Sequence, residues 1–136
     1  MADLDPHLFV TTDMFESVTP DPKFINPCCF GEDFAQWLRT QLSARGLTLD
    51  NPIQEDWGWV LFVRHGGAVF TLTIAILNEF IGLKPARWRV GIVYEKWLNG
   101  IKAWFRPKPL EMRDQVFAEL RQVTMSEPRI RVSDEE

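Results

Sequence analysis

Residues 55–77 read EDWGWVLFVRHGGAVFTLTIAIL, which is two apolar runs, 57–63 and 69–77, separated by the pair Gly66-Gly67. A Gly-Gly pair is what a two-residue hairpin turn with positive φ requires. The apolar runs are rich in β-branched and aromatic residues, which favour strands. This stretch therefore predicts an antiparallel β-hairpin, around which the rest of the chain is organised.

The turn also predicts the register of the hairpin. It places Trp59 opposite Ile74 and Trp57 opposite Ile76, on a face whose pairs are almost all apolar. The alternate face is mixed, as in the pair of Val60 with Thr73. A slip of one residue would turn the large aromatics outward, so turn and pattern agree on one pairing. We therefore expect Trp57 and Trp59 in the core.

Further elements flank this hairpin. Apolar residues at spacings of three and four predict amphipathic helices over 32–45 and 110–123. Alternating residues from Arg87 to Glu95 predict a half-buried strand. Asn99-Gly100 is a strong hairpin signal and would pair Glu95 with Trp104 and Trp97 with Lys102 in a second hairpin.

Together these elements predict an α+β fold: a two-layer sandwich of an antiparallel sheet with at least four strands, two hairpins, and two helices on one face. We expect one domain over 1–136, with 1–30 as a flanking N-terminal segment and 133–136 as a frayed acidic tail. Ferredoxin-like and cystatin-like arrangements both fit, and the strand order is left open.

Composition narrows the class of protein. The formal net charge of −4 argues against electrostatically driven binding to nucleic acid. The N-terminus lacks the pattern of a secretory signal, and no apolar run approaches the ~20 residues that span a bilayer. Cys28 and Cys29 are adjacent and suit a reducing compartment. We expect a cytoplasmic protein without membrane contact, metal or other cofactor.

The candidate catalytic residues are isolated. Glu55 and Asp56 are adjacent, so on a strand they would point to opposite faces and could not share a substrate. His65 lies at the hairpin tip, and His7 lies near the terminus without an orienting partner. The usual hydrolase and nucleotide motifs are absent. Enzyme activity stays open, with a non-enzymatic role favoured.

The mixed face of the sheet is the first candidate site. Aromatic residues beside arginines are typical of protein-binding surfaces. The predicted interaction face consists of Phe62, Arg87, Arg89, Glu95, Trp97, Lys102 and Trp104. It would bind a protein partner or a second copy of the chain, and by analogy the protein could be of the immunity or inhibitor type. Alternatively, the N-terminal segment covers this face.

The second candidate site comes from a different class of function. A small-ligand-binding protein or minor enzyme would hold its ligand in a pocket between helix and curved sheet, with Glu55, Arg87 and Tyr94 as polar groups. A pocket of ~300 Å3 or more lined by these side chains would favour this alternative.

One resemblance adds to this picture. Gly31-Glu32-Asp33 with Trp37-Leu38, then Gly46, then Glu55-Asp56-Trp57-Gly58-Trp59, resembles a group of small bacterial proteins over about residues 26–65. In that group a helix of this form precedes an acidic Trp-Gly-Trp strand entry. The resemblance implies a bacterial cytosolic origin and a helix followed by a hairpin, and it carries over no functional residue.

Overall fold

The computed structural model of the chain describes residues 5–23, 29–100 and 109–134. It confirms the predicted α+β class: a seven-stranded antiparallel sheet with two long helices packed on one face. The strands are β1 (His7–Thr12), β2 (Thr48–Leu49), β3 (Ile53–Glu55), β4 (Gly58–His65), β5 (Ala68–Ile76), β6 (Ala86–Tyr94) and β7 (Ile130–Ser133). The helices are α1 (Glu32–Ser43), the single turn α2 (Lys96–Asn99) and α3 (Pro109–Met125), with a 3-10 turn at Asn78–Phe80.

The strand order is β2-β4-β5-β6-β1-β7, and β3 pairs with β4 beyond the reach of β2. The segment predicted to flank the domain therefore contributes an inner strand, since β1 lies between β6 and β7. Strand β7 lies at the end of this order and, among the described strands, pairs with β1 only.

The central hairpin has the predicted register. Its pairs extend from Trp59 with Ile74 to His65 with Ala68. Gly66 and Gly67 form the turn with φ values of 60° and 79°, which residues with a side chain rarely adopt. Turn chemistry and apolar pattern thus specify the same pairing in the folded chain.

The expected core position of Trp57 is wrong. Glu55 pairs with Gly58, so Asp56 and Trp57 form a two-residue turn between β3 and β4. Trp57 keeps an exposed fraction of 50%, whereas Trp59 is only 4% exposed. The apolar run therefore begins one tryptophan later than the pattern indicates, because the first one lies in a turn.

The prediction of a second hairpin is also wrong for its first strand, beyond Tyr94. Residues 96–99 form the helical turn α2 instead of continuing the strand, and β6 ends at Tyr94. Both edges of β6 are already occupied, by β5 on one side and by β1 on the other. The expected pairing partners Lys102 and Trp104 lie outside the described residues.

Helix α1 starts at the predicted residue and ends at Ser43, two residues before the predicted end. Glu32 and Asp33 lie in its first turn, and Phe34, Leu38 and Leu42 are fully buried. After the helix, Gly46 has a φ of 94°, and the N–H of Leu47 donates to the carbonyl of Leu42 at 3.2 Å. The chain thus leaves the helix through a glycine with positive φ, as is common at helix ends.

The core lies between the two helices and the sheet. Trp88 is fully buried, and Phe34 and Phe15 approach its ring edge-on, with centroids 5.5 and 6.5 Å away. The indole N–H of Trp59 donates to the carbonyl of Cys29 at 2.8 Å, so this buried polar group is satisfied. The large side chains in the middle of the helix-covered face therefore pack against one another in the core.

Candidate functional site

The opposite side of the sheet, which α1 and α3 leave uncovered, is called the outer face here. Strand register assigns its residues, because antiparallel partners share a side. One row across it contains Glu55, Gly58, Ala75, Arg89 and Phe9, and the neighbouring row contains Ile53, Val60, Thr73, Gly91 and His7. The face is partly shielded, because Val60, Phe9 and Thr71 are buried.

The predicted interaction residues are spread over this face. Phe62 shares a row with Val93 through Thr71, whereas Arg87 is at the other end of β6, about 20 Å along the strand. Arg89 is exposed, and Arg87 is half-buried with its guanidinium 5.4 Å from the ring centroid of Phe9.

The remaining predicted members lie around α2 or beyond it. Glu95 is half-buried, and its carboxylate accepts a hydrogen bond from the hydroxyl of Thr71 at 3.2 Å. Trp97 has its backbone in α2. Lys102 and Trp104 fall outside the described residues, so the structure places four of the seven side chains: Phe62, Arg87, Arg89 and Glu95.

The alternative pocket residues are not brought together. Tyr94 pairs with Phe70 on the helix-covered face, and Arg87 is on the outer face. Glu55 is exposed on β3, three strands away from β6. These three side chains do not share one cavity between helix and sheet.

The row from Glu55 to Arg89 carries opposite charges at its two ends. Both side chains are exposed, and neither has a salt-bridge partner within the part of the chain that the structure describes. They are separated by three interstrand spacings, about 14 Å. Between them on this row lie Gly58 and Ala75, whose side chains do not extend beyond Cβ.

A cleft of about 390 Å3 lies over this part of the outer face. Its floor is made by small residues, Thr73, Ala75 and Gly91, and the indole of Trp57 and the segment Asp5–His7 form its rim. A Cβ on Gly91 would lie 3.1 Å from the carbonyl oxygen of Pro6, so the N-terminal segment passes close above that glycine. Arg89 also lines the cleft.

Two exposed arginines lie on the outer face: Arg89 on β6, which lines the cleft, and Arg131 on β7. The carboxylate of Asp5, at the rim of the cleft, is bound at 3.2 Å by Arg113, a buried guanidinium that also binds Asp114. Arg89 is thus a cationic lining residue without a salt-bridge partner among the described residues.

Two carboxylates near the start of α1 accept hydrogen bonds from backbone N–H groups. Glu16 accepts hydrogen bonds from the backbone N–H groups of Val18, Thr19 and Ser17, which lower the pKa of its carboxyl. Asp33 accepts one from the N–H of Glu16 at 2.8 Å. Across the described ranges, no three side chains of the His, Cys, Asp and Glu types gather as metal ligands would.

Cys29 and the histidines have ordinary surroundings. Cys29 is buried, with its Sγ 3.1 Å from the carbonyl oxygen of Glu55, and Cys28 lies outside the described residues. His65 Nε2 is 2.9 Å from the side-chain oxygen of Gln115. The histidine that reaches the cleft is His7, whose Nδ1 is buried without a hydrogen-bond partner.

Sequence reasoning missed three residues of this site: Ile53, Trp57 and His7. Ile53 and Trp57 are large apolar side chains with exposed fractions of 42% and 50%. A signal for Trp57 was present, because Asp56 before it and Gly58 after it are turn-forming residues. His7 carries no such signal, since its place depends on β1 pairing with a strand 80 residues later in the chain.

Comparisons with known proteins supply no function for this fold and site. No family model matches the chain, and neither the curated proteins nor the solved structures contain a match. No helix among the described segments combines the length and apolar character needed to cross a bilayer. The functional proposal therefore rests on the outer face alone.

Proposed function

We propose that the chain is a binding module that associates with a second copy of itself through the outer face. The observation that carries this proposal is the row Glu55, Gly58, Ala75, Arg89, which is complementary to itself when reversed. In a two-fold interface the same patch serves both partners, so a patch must satisfy its own reverse.

The two-fold axis would run parallel to the strands, between β4 and β5. Rotation about it lays the acidic end of the row, Glu55, over Arg89 of the second copy, and the reverse contact forms at the other end. Gly58 then faces Ala75, and these small residues allow the two sheets to approach in the middle. Two opposite-charge contacts form by symmetry, which sets both register and orientation.

The neighbouring row supports the same arrangement. The rotation places the exposed Ile53 of one copy over Gly91 of the other, where the cleft provides space. An exposed apolar side chain opposite a recess is the usual composition of an interface centre.

Arg131 lies outside the proposed overlap. It is on β7, two strands beyond β6, and the rotation places it past the edge of the second sheet. Arg131 is exposed on the same face as Arg89, so it provides a matched control for charge reversal.

The proposal is tested by sedimentation velocity of the purified chain over a concentration series. Wild type should show reversible dimer formation, and Glu55→Arg should weaken it by about tenfold or more because two attractions become two repulsions. Glu79→Arg makes the same change of charge at an exposed position away from the sheet and should leave the dimer unchanged. A wild-type chain that stays monomeric throughout, or equal weakening by both variants, would refute the proposal.

A further inference from the structure

The cleft on the outer face combines three features that a small-molecule site needs. Its volume of about 390 Å3 lies within the range of ligand pockets, roughly 300–1,000 Å3. Its floor lacks long side chains, because Thr73, Ala75 and Gly91 occupy adjacent strands. Its rim includes both a large aromatic ring, Trp57, and a guanidinium, Arg89.

The polar side of the cleft favours an anion. Arg89 is exposed and has no salt-bridge partner among the described residues, and a guanidinium presents parallel N–H groups that match a carboxylate. The one acidic side chain that lines the cleft, Asp5, is held by the buried Arg113 at 3.2 Å. Asp5 is therefore turned to an internal ion pair, in which Arg113 also binds Asp114, whereas Arg89 keeps its guanidinium for a ligand.

His7 adds a second polar group to the same wall. Its ring stands edge-on to Phe9, with centroids 5.5 Å apart and an interplanar angle of 86°. Among the residues that the structure describes, the buried Nδ1 of this ring has no hydrogen-bond partner, which is uncommon for a buried polar atom. The hydroxyl of Thr73 makes only a long contact, 3.5 Å, to the carbonyl of Gly91. His7 Nδ1 and the hydroxyl of Thr73 are thus both able to form a hydrogen bond with a ligand.

The apolar side of the cleft favours a planar group. The indole of Trp57 keeps half of its surface exposed, and Pro6 and Val93 add apolar lining. A flat ring placed against an indole buries area and gains stacking energy at low entropic cost. The combination of an aromatic wall with a guanidinium selects a ring that bears a carboxylate.

We infer that this cleft binds a small aromatic carboxylate, with its ring against Trp57 and its carboxylate on Arg89. The ligand and the second copy would use the same space and the same arginine. Ligand binding is therefore best measured on the Glu55→Arg variant as well as on wild type, since Glu55 does not line the cleft and the site exists without self-association. A failure of the proposed dimer then leaves the ligand measurement intact.

The probe is 2-naphthoate, and 2-naphthylmethanol is the uncharged comparison of similar shape. Binding is followed by calorimetry and by proton–nitrogen correlation spectra of the labelled protein. Naphthoate should bind saturably and shift the backbone amides of Thr73 and Gly91 and the indole of Trp57. The alcohol should bind about tenfold more weakly or worse, because it offers Arg89 no charge.

Two arginine variants separate a built site from general attraction. Arg89→Gln should weaken naphthoate binding by about tenfold or more, whereas Arg131→Gln, on the same face but outside the cleft, should change it by less than about twofold. Trp57→Ala should also weaken it by about tenfold. Equal affinity for the alcohol, equal weakening by both arginine variants, or no saturable binding at millimolar naphthoate would overturn the inference.

Discussion

The side-chain amide of Asn99 takes both backbone hydrogen bonds of Val69. The N–H of Val69 donates to Asn99 Oδ1 at 2.8 Å, and Asn99 Nδ2 donates to the carbonyl of Val69 at 3.0 Å. The same Nδ2 group donates to the carbonyl of Glu95 at 3.0 Å. The amide therefore continues the sheet beyond Tyr94, where β6 ends and its backbone turns into α2.

Asn99→Asp should destabilise the protein by about 1–3 kcal/mol. A carboxylate can still accept from the N–H of Val69, but it faces the carbonyls of Val69 and Glu95 with no proton to donate. Urea unfolding at neutral pH measures the loss, and Asn51→Asp, at an exposed position, is the matched control. An unchanged free energy of unfolding in Asn99→Asp would show that the amide does not hold the end of the sheet.

This pair explains why one predicted hairpin is absent. Asn-Gly is a hairpin signal because both residues tolerate positive φ, and Gly100 does have a φ of 60°. Asn can instead use its side chain as a substitute for a peptide group, which local pattern does not reveal.

The two tryptophans of the organising stretch should respond differently to loss of their indole N–H. Trp59→Phe removes the donor to the buried carbonyl of Cys29 and should cost about 1–3 kcal/mol. Trp57→Phe, at a half-exposed turn position, should change stability by less than about 0.5 kcal/mol. Thermal or urea unfolding compares them, and similar losses in both variants would contradict the placement of Trp57 outside the core.

The contrast between these residues also marks how far sequence reasoning extends. The pairing from Trp59 onward follows from the Gly66-Gly67 turn and a long apolar alternation. Strand β3 has only three residues, too few to show a period. The residue pattern therefore does not separate the turn at Asp56 and Trp57 from strand β4. The outer face was predicted from the hairpin register, but its cleft depends on the N-terminal segment, whose position no local pattern specifies.

Gly58 should tolerate no side chain. A Cβ at this position would lie 2.3 Å from the carbonyl oxygen of Ile74, which is backbone and cannot move aside cheaply. Gly58→Ala should cost about 1–3 kcal/mol through this clash. Gly91→Ala, whose nearest contact would be 3.1 Å from the carbonyl oxygen of Pro6, should cost clearly less in the same unfolding assay. The reverse order would contradict the strand spacing described above.

Acid should remove the contribution of Glu16. Its folded pKa is lowered below 4.5, chiefly by the backbone N–H groups of Val18 and Thr19, so its ionised form stabilises the fold above the unfolded pKa. This stabilisation is lost as the pH falls through the lowered pKa. Glu16→Gln should be less stable than wild type at neutral pH, and the difference should shrink as the pH falls through the lowered pKa of Glu16. Glu79→Gln serves as the exposed control, and a difference for Glu16→Gln that persists in acid would contradict the assignment.

The complementarity of Glu55 and Arg89 can be tested without knowing any other partner. In the Glu55→Arg variant, positions 55 and 89 are both positively charged. In the Arg89→Glu variant, both are negatively charged. Each variant alone should associate about tenfold more weakly than wild type or worse, whereas an equimolar mixture restores both opposite-charge contacts in a heterodimer. The control replaces Arg89→Glu in the mixture by the double variant Glu55→Arg, Arg131→Glu, which should be monomeric alone and gains its new carboxylate outside the overlap, so its mixture with Glu55→Arg should not recover.

Sedimentation equilibrium of the Glu55→Arg and Arg89→Glu mixture, compared with each variant alone, is the most direct measurement of the proposed self-association. The proposed arrangement predicts that the mixture dimerises close to wild-type strength while both single variants remain largely monomeric. A mixture that sediments as the average of its two components would contradict it, and so would equal recovery in the mixture of Glu55→Arg with the double variant.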